Sequence, residues 1–175
     1  MNAPRPVPPR RKLPIGIQNL RQMREGGHYY VDKTGMAIDL IESGKSFFLS
    51  RPRRFGKSLL VDTMKALFEG EQALFTGLAA ETRWDWSRRH PVIRISFGGG
   101  VVSSEAGLVQ RIQHGLRGNF RALGLARADD IPFDDVAGHL ADLIERAHAA
   151  SGQQAVVLVD EYDKPILDNI TEPAT

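Results

Sequence analysis

Apolar residues fall along this chain in two rhythms. Short runs rich in β-branched and aromatic residues read as strands: residues 46–50 around Phe47, Phe48 and Leu49, residues 91–97 around Val92, Ile93 and Ile95, and the continuous run Ala155, Val156, Val157, Leu158 and Val159. The last has no polar interruption, so it is expected to be buried on both faces. Elsewhere the apolar positions return every three or four residues, as on a helix packed on one side. Ile38, Leu40 and Ile41 make one such stripe, closing at Gly44, and Leu60, Met64, Leu67 and Phe68 a second, stopping at Gly70. Leu108, Ile112 and Leu116 with Phe120 or Leu123 form a third, and Val136, Leu140, Leu143, Ile144 and Ala147 a fourth. Asp32 or Thr34 can cap the first, and Ser103 or Ser104 the third. Strands separated by helices predict an α/β fold with a parallel sheet and right-handed crossovers.

The densest chemistry lies between the run at 46–50 and the helix that follows it, in Arg51-Pro52-Arg53-Arg54-Phe55-Gly56-Lys57-Ser58. A glycine-turned loop ending in Gly-Lys-Ser, between a strand and a helix, offers consecutive backbone N–H groups, a lysine and a hydroxyl to a polyphosphate and its Mg²⁺. A helix starting at the lysine adds its positive dipole end. Arg54, Phe55, Gly56, Lys57, Ser58 and Leu59 are therefore the candidate phosphate-binding residues, with Ser58 also a metal ligand. The standard loop begins with glycine, where this one has Arg51. Pro52 then holds Arg51 extended and lacks an N–H, so the loop must turn differently at its start. Arg53 and Arg54 either add charge to the phosphates or are solvated surface arginines.

A second element of the same chemistry lies roughly 100 residues downstream, within one domain's length. The run ending at Val159 is followed by Asp160 and Glu161. An acidic residue at the end of such a strand can hold the magnesium, which assigns Asp160 to the metal, and Glu161 is then the candidate to polarise an attacking water. The plainer alternative is that the pair ends a strand and caps the next helix.

Three stretches together carry a family resemblance: residues 29–34 (Tyr-Tyr-Val-Asp-Lys-Thr), residues 47–59 through the arginine-rich loop, and residues 159–166 with the acidic pair. They resemble the bacterial AAA-ATPase-like domain family, P-loop NTPases with a three-layer α/β/α architecture, from about Leu13 to the end of the chain. The loop with arginine in place of glycine is that family's own variant. The resemblance implies a cytoplasmic ATPase using ATP and Mg²⁺, usually continued by a C-terminal domain like PD-(D/E)XK nucleases, through which nucleic acid is a possible partner. It implies that Gly56, Lys57 and Ser58 bind phosphate and metal, that Asp160 and Glu161 form the acidic pair, and that Asp32, Lys33 and Thr34 matter without a stated role; Lys57 and Glu161 are the candidate catalytic residues. The family's fold also inserts a later strand between the one before the loop and the one bearing the acidic pair. No apolar run is left before Thr175 to supply it, so residues 13–175 are expected to be the N-terminal part of the ATPase domain. Such a fragment is expected to be inactive alone, with the strand after Gly152 either pairing directly with the one before Arg51 or staying poorly packed.

Composition narrows the rest. The 175 residues, 42% hydrophobic, can bury one ordinary core. There is no cysteine, hence no disulfide, and no apolar stretch long enough to span a bilayer. Residues 1–12 are rich in proline and arginine, which excludes a secretory signal and reads as a disordered basic tail. Arg5, Arg10, Arg11 and Lys12 supply four of the 23 basic residues, leaving 19 against 21 acidic ones, so the basic character belongs to the tail. Two other function classes stay open: a nucleotide-binding switch with little hydrolysis, and a non-enzymatic nucleic-acid-binding module led by that tail. Gly98, Gly99 and Gly100 read as a flexible turn, and Arg111, Arg117 and Arg121 as the solvated face of a helix. The five histidines show no metal-ligand spacing.

Overall fold

The computed structural model describes residues 11–50, 52, 54–100, 102 and 104–168. Arg51, Arg53, Ser103 and residues 1–10 of the basic tail, all invoked above, lie outside them. Helices α1 (Leu20–Glu25), α2 (Thr34–Ser43), α3 (Lys57–Phe68) and α4 (Ala80–Arg83) come first, with a 3-10 turn at Gln72–Phe75. Strand β1 (Val92–Ser96), helices α5 (Glu105–Ala122) and α6 (Val136–Ser151), strand β2 (Val156–Asp160) and helix α7 (Lys164–Asp168) follow.

Local chemistry sets the helix ends. Asp32 Oδ1 accepts from the Thr34 N–H at 2.9 Å and from the Thr34 hydroxyl at 2.7 Å, so Asp32 opens α2 while Lys33 occupies the cap position without a side-chain bond. Ser104 caps α5, accepting from the Gly107 N–H at 3.1 Å, with Glu105 in the first turn where a negative charge favours the helix dipole. Asp135 caps α6 by accepting from the Gly138 N–H at 2.8 Å.

β1 and β2 pair in parallel, Val92 opposite Val156 and Ser96 opposite Asp160. Ile93 and Ile95 point from one face into a cluster with Leu116 and Phe120 of α5 and Leu143 of α6. Arg94 and Asp160 project from the other face toward α3, bonding to Asp62 and Ser58 there. On its far side α3 joins a second cluster with Leu20, Ile38, Leu67 and Phe75. The result is helix, sheet and helix in three layers. Asn119 of α5 closes the outer edge of β1, accepting from the Arg94 N–H at 2.9 Å and donating to the Arg94 carbonyl at 2.8 Å. Among the described residues, no helix is long and apolar enough to cross a membrane.

Two strand readings need correction. Residues 46–50 form no strand, and Phe47 and Phe48 are 50% and 74% exposed. An apolar run becomes a strand only where a neighbouring edge hydrogen-bonds to its N–H and C=O groups, and among the described residues no strand pairs with this run. It meets the segment after β2 through the Tyr162 side chain: that ring lies 4.7 Å from the Phe48 ring, and its hydroxyl reaches the Leu49 carbonyl at 3.5 Å. The direct pairing of β2 with this run is therefore not formed. Nor is β2 buried on both faces, because Val157 and Val159 are 39% and 42% exposed.

Candidate functional site

The loop enters α3 through two left-handed residues, Arg54 (φ 68°) and Gly56 (φ 77°). For glycine this conformation is free, whereas for arginine it costs about 1 kcal/mol, an expense typical of functional loops. Gly56 caps α3 with no side-chain bond, and the Leu60 N–H to Gly56 carbonyl bond at 3.0 Å starts the helical ladder. The first-turn N–H groups and the positive end of α3 thus stand uncapped at the loop. Arg54, Phe55 and Gly56 are exposed, and Lys57, Ser58 and Leu59 are half-buried. Among the described residues none pairs with the Lys57 ammonium.

Ser58 Oγ donates to Asp160 Oδ1 at 3.2 Å, across 102 residues of sequence. The two candidate metal ligands are therefore side by side. Asp160, at the end of β2, is 4% exposed, and its Oδ1 also accepts from the Glu161 N–H at 3.0 Å. A hydroxyl and a carboxylate next to each other suit a small hard cation, which takes one or two protein oxygens and fills its shell with phosphate and water. The residues present fit Mg²⁺.

The remaining Asp160 oxygen leads into a network that the sequence reading missed. Arg94 Nη2 donates to Asp160 Oδ2 at 3.2 Å and Nη1 to Asp62 Oδ1, also at 3.2 Å. Asp62 Oδ2 in turn accepts from the Leu20 N–H at 2.6 Å, with the Asn19 amide 3.4 Å from Oδ1. Arg94 thus bridges two buried carboxylates, one on the strand and one on the helix. Two signals could have found it: a single charge inside the apolar run Val92, Ile93, Arg94, Ile95, and an aspartate four residues after Ser58, on the same side of a helix.

Glu161 follows in a left-handed conformation (φ 53°). Its carboxylate lies against Gly98, in the space that a Cβ at that position would take, so a side chain there would displace the Glu161 carboxylate. Arg111 donates to the carbonyls of Phe97 and Gly98, each at 3.2 Å, and to that of Gly99. This corrects two readings. Arg111 is an anchor rather than part of a solvated face, and Gly98 and Gly99 are a pinned turn that seats Glu161. Arg117 lies over the Phe133 ring, 5.3 Å from its centroid.

A family model described as a predicted AAA-ATPase matches residues 14–175. The chain is 56% identical over 165 residues to an uncharacterized protein in the vnfD 5′ region of Azotobacter chroococcum mcd 1, a match covering 94% of this chain and 31% of that protein. The chain thus spans about a third of that relative's length. No solved structure matches.

Proposed function

The chain belongs to the predicted AAA-ATPase family, and on that footing we propose that it binds ATP with Mg²⁺ and hydrolyses it. The Ser58 to Asp160 hydrogen bond at 3.2 Å carries this reading, because it joins a phosphate-loop hydroxyl to a strand-end carboxylate from opposite ends of the chain. Backbone N–H groups of Arg54 to Leu59 would cradle the phosphates, and Lys57 would offset charge on the β- and γ-phosphates. Ser58 and Asp160 would hold Mg²⁺, which supplies charge neutralisation where the bond to the leaving phosphate breaks. Arg94 holds the Asp160 carboxylate by Oδ2, which leaves Oδ1 to meet Ser58. Glu161 would orient water for in-line attack. Coupling of turnover to a conformational change in a nuclease-like domain acting on nucleic acid belongs to the proposal and rests on the resemblance alone.

One observation favours a second reading, a nucleotide switch of low turnover: Glu161 is seated against Gly98 in a turn pinned by Arg111. Calorimetry with Mg²⁺ and ATP, followed by a phosphate-release assay, separates the two. Lys57→Ala is expected to weaken binding about 100-fold, as loss of a charged phosphate contact does. Glu161→Gln should preserve binding and lower turnover by about 10²- to 10⁴-fold. Turnover unchanged in Glu161→Gln would favour the switch, and no magnesium-dependent affinity for ATP would defeat both.

A further inference from the structure

A cavity of about 400 Å³ opens beside the loop, bordered by Phe55 and Gly56 of the loop itself and by Leu59 in the first turn of α3. Its opposite wall comes from Tyr29, Lys33 and Met36. We propose that this cavity receives the adenine base of the nucleotide, an assignment that rests on the phosphate-loop reading above.

Position, size and chemistry support it. Phe55 and Gly56 belong both to the loop and to the cavity wall, so a triphosphate on the loop has the cavity within reach of its base. The volume falls at the lower end of the roughly 300–1,000 Å³ usual for small-molecule pockets, as suits a base rather than a large ligand. Phe55, Met36 and Tyr29 of its lining are 64%, 62% and 51% exposed, large side chains that the described residues leave open. A flat aromatic base would cover them, stacking on the rings. No aspartate or glutamate lines the cavity, and Lys33 is its one charged residue. Guanine presents an N1–H and a 2-amino group side by side, a pair of donors best met by the two oxygens of a carboxylate, and none lines the cavity. Adenine's ring nitrogens are acceptors, which the Lys33 ammonium and the tyrosine hydroxyls can serve. The stretch of residues 29–33 thereby acquires a role: Asp32 opens α2, and Tyr29 and Lys33 face the base.

A larger groove of about 840 Å³, lined in part by Arg21, Arg24, Glu71 and Arg89, offers no comparable case. It does not touch the loop, and Arg21 is already paired with Glu71 at 2.8 Å.

The test compares ATP, GTP and inorganic tripolyphosphate by calorimetry in the presence of Mg²⁺, on the native protein and on Met36→Asp and Tyr29→Ala. Both altered side chains are exposed, so folding is preserved. ATP should bind the native protein at least about tenfold tighter than tripolyphosphate or GTP, as one stacked base warrants. Each variant should lose about tenfold in ATP affinity while its tripolyphosphate affinity stays unchanged. Equal binding of ATP and tripolyphosphate, or variants that leave ATP affinity untouched, would overturn the base pocket and leave the phosphate loop standing. A protein that binds none of the three overturns both.

Discussion

On the α5 and α6 side of the sheet, Ile93 and Ile95 meet Leu116, Phe120 and Leu143, none more than 8% exposed. On the α3 side, the same two strands reach the rest of the molecule through the Ser58 hydroxyl, the Arg94 guanidinium and the carboxylates of Asp62 and Asp160. Among the described residues, none belongs to both buried clusters. An apolar interface gains nothing from opening, because each exposed side chain costs hydrophobic free energy and gives no ligand in return. An interface of carboxylates and a hydroxyl can exchange one protein partner for a cation or a phosphate without stranding a polar group. The difference teaches where chemistry is possible in this fold: the loop and the acidic pair meet on the one face whose contacts are exchangeable.

The largest effect expected from that contrast is on the apolar side. Leu116 is fully buried against β1, and Leu116→Ala should destabilise the protein by about 3 kcal/mol, within the ~2–5 kcal/mol range of such truncations. Urea unfolding measures it. The midpoint should fall while ATP affinity, measured well below the transition, stays at the native value. A parallel loss of affinity would show that the two faces are not independent.

Arg94 probes the other face. Arg94→Leu leaves Asp62 and Asp160, 8% and 4% exposed, without their shared cation. Breaking a buried pair costs ~3–5 kcal/mol, but the Arg94 side chain is 31% exposed and screened, so about 2 kcal/mol is expected. The sharper readout is thermal melting with and without Mg²⁺ and ATP. The ligands should raise the variant's Tm by more than the native protein's, because a cation at Asp160 then relieves an unpaired charge. Equal shifts in the two proteins would place the cation elsewhere.

Much of this arrangement was legible in the residues. The helices at α2, α3, α5 and α6 followed from apolar spacing and caps, and β1 and β2 from their β-branched runs. The two motifs were legible as a pair because their chemistry is local: Gly-Lys-Ser at a helix start, and acid at a strand end. What stayed hidden depends on partners far along the chain. Residues 46–50 have the composition of a strand, yet pairing is a property of two segments, and composition describes one. Arg94 is a single charge within a strand run, and only the fold brings Asp62 and Asp160 to it from either side. Arg111 looked like surface because nothing in its spacing reveals the three carbonyls of residues 97–99.

The smallest expected effect extends the contrast to acid. On the α3 side, Asp32 ties α2 to α4: Oδ2 accepts from the Ala79 N–H at 2.7 Å, while Oδ1 serves Thr34. Partial burial pushes this carboxyl up, but the bonds from the Thr34 hydroxyl, the Ala79 N–H and the Thr34 N–H together outweigh it and hold it below its ordinary value. A group whose folded value is lowered adds stability above its unfolded value of about 3.9, and that contribution drains away as pH falls through the folded value. Asp32→Ala should therefore cost about 1 kcal/mol by urea unfolding at pH 5 to 7, the usual worth of a capping side chain. Below about pH 4 the gap between native and variant should begin to narrow, and it should close as pH falls through the lowered folded value, where the native carboxyl takes up a proton and no longer holds its three donors as an anion. The apolar side has no such dependence, so the gap for Leu116→Ala should persist at pH 3 wherever both proteins remain folded enough to measure. A difference for Asp32→Ala that survives unchanged at pH 3 would mean that the side chain acts by packing, and that charge does not distinguish the two faces at this position.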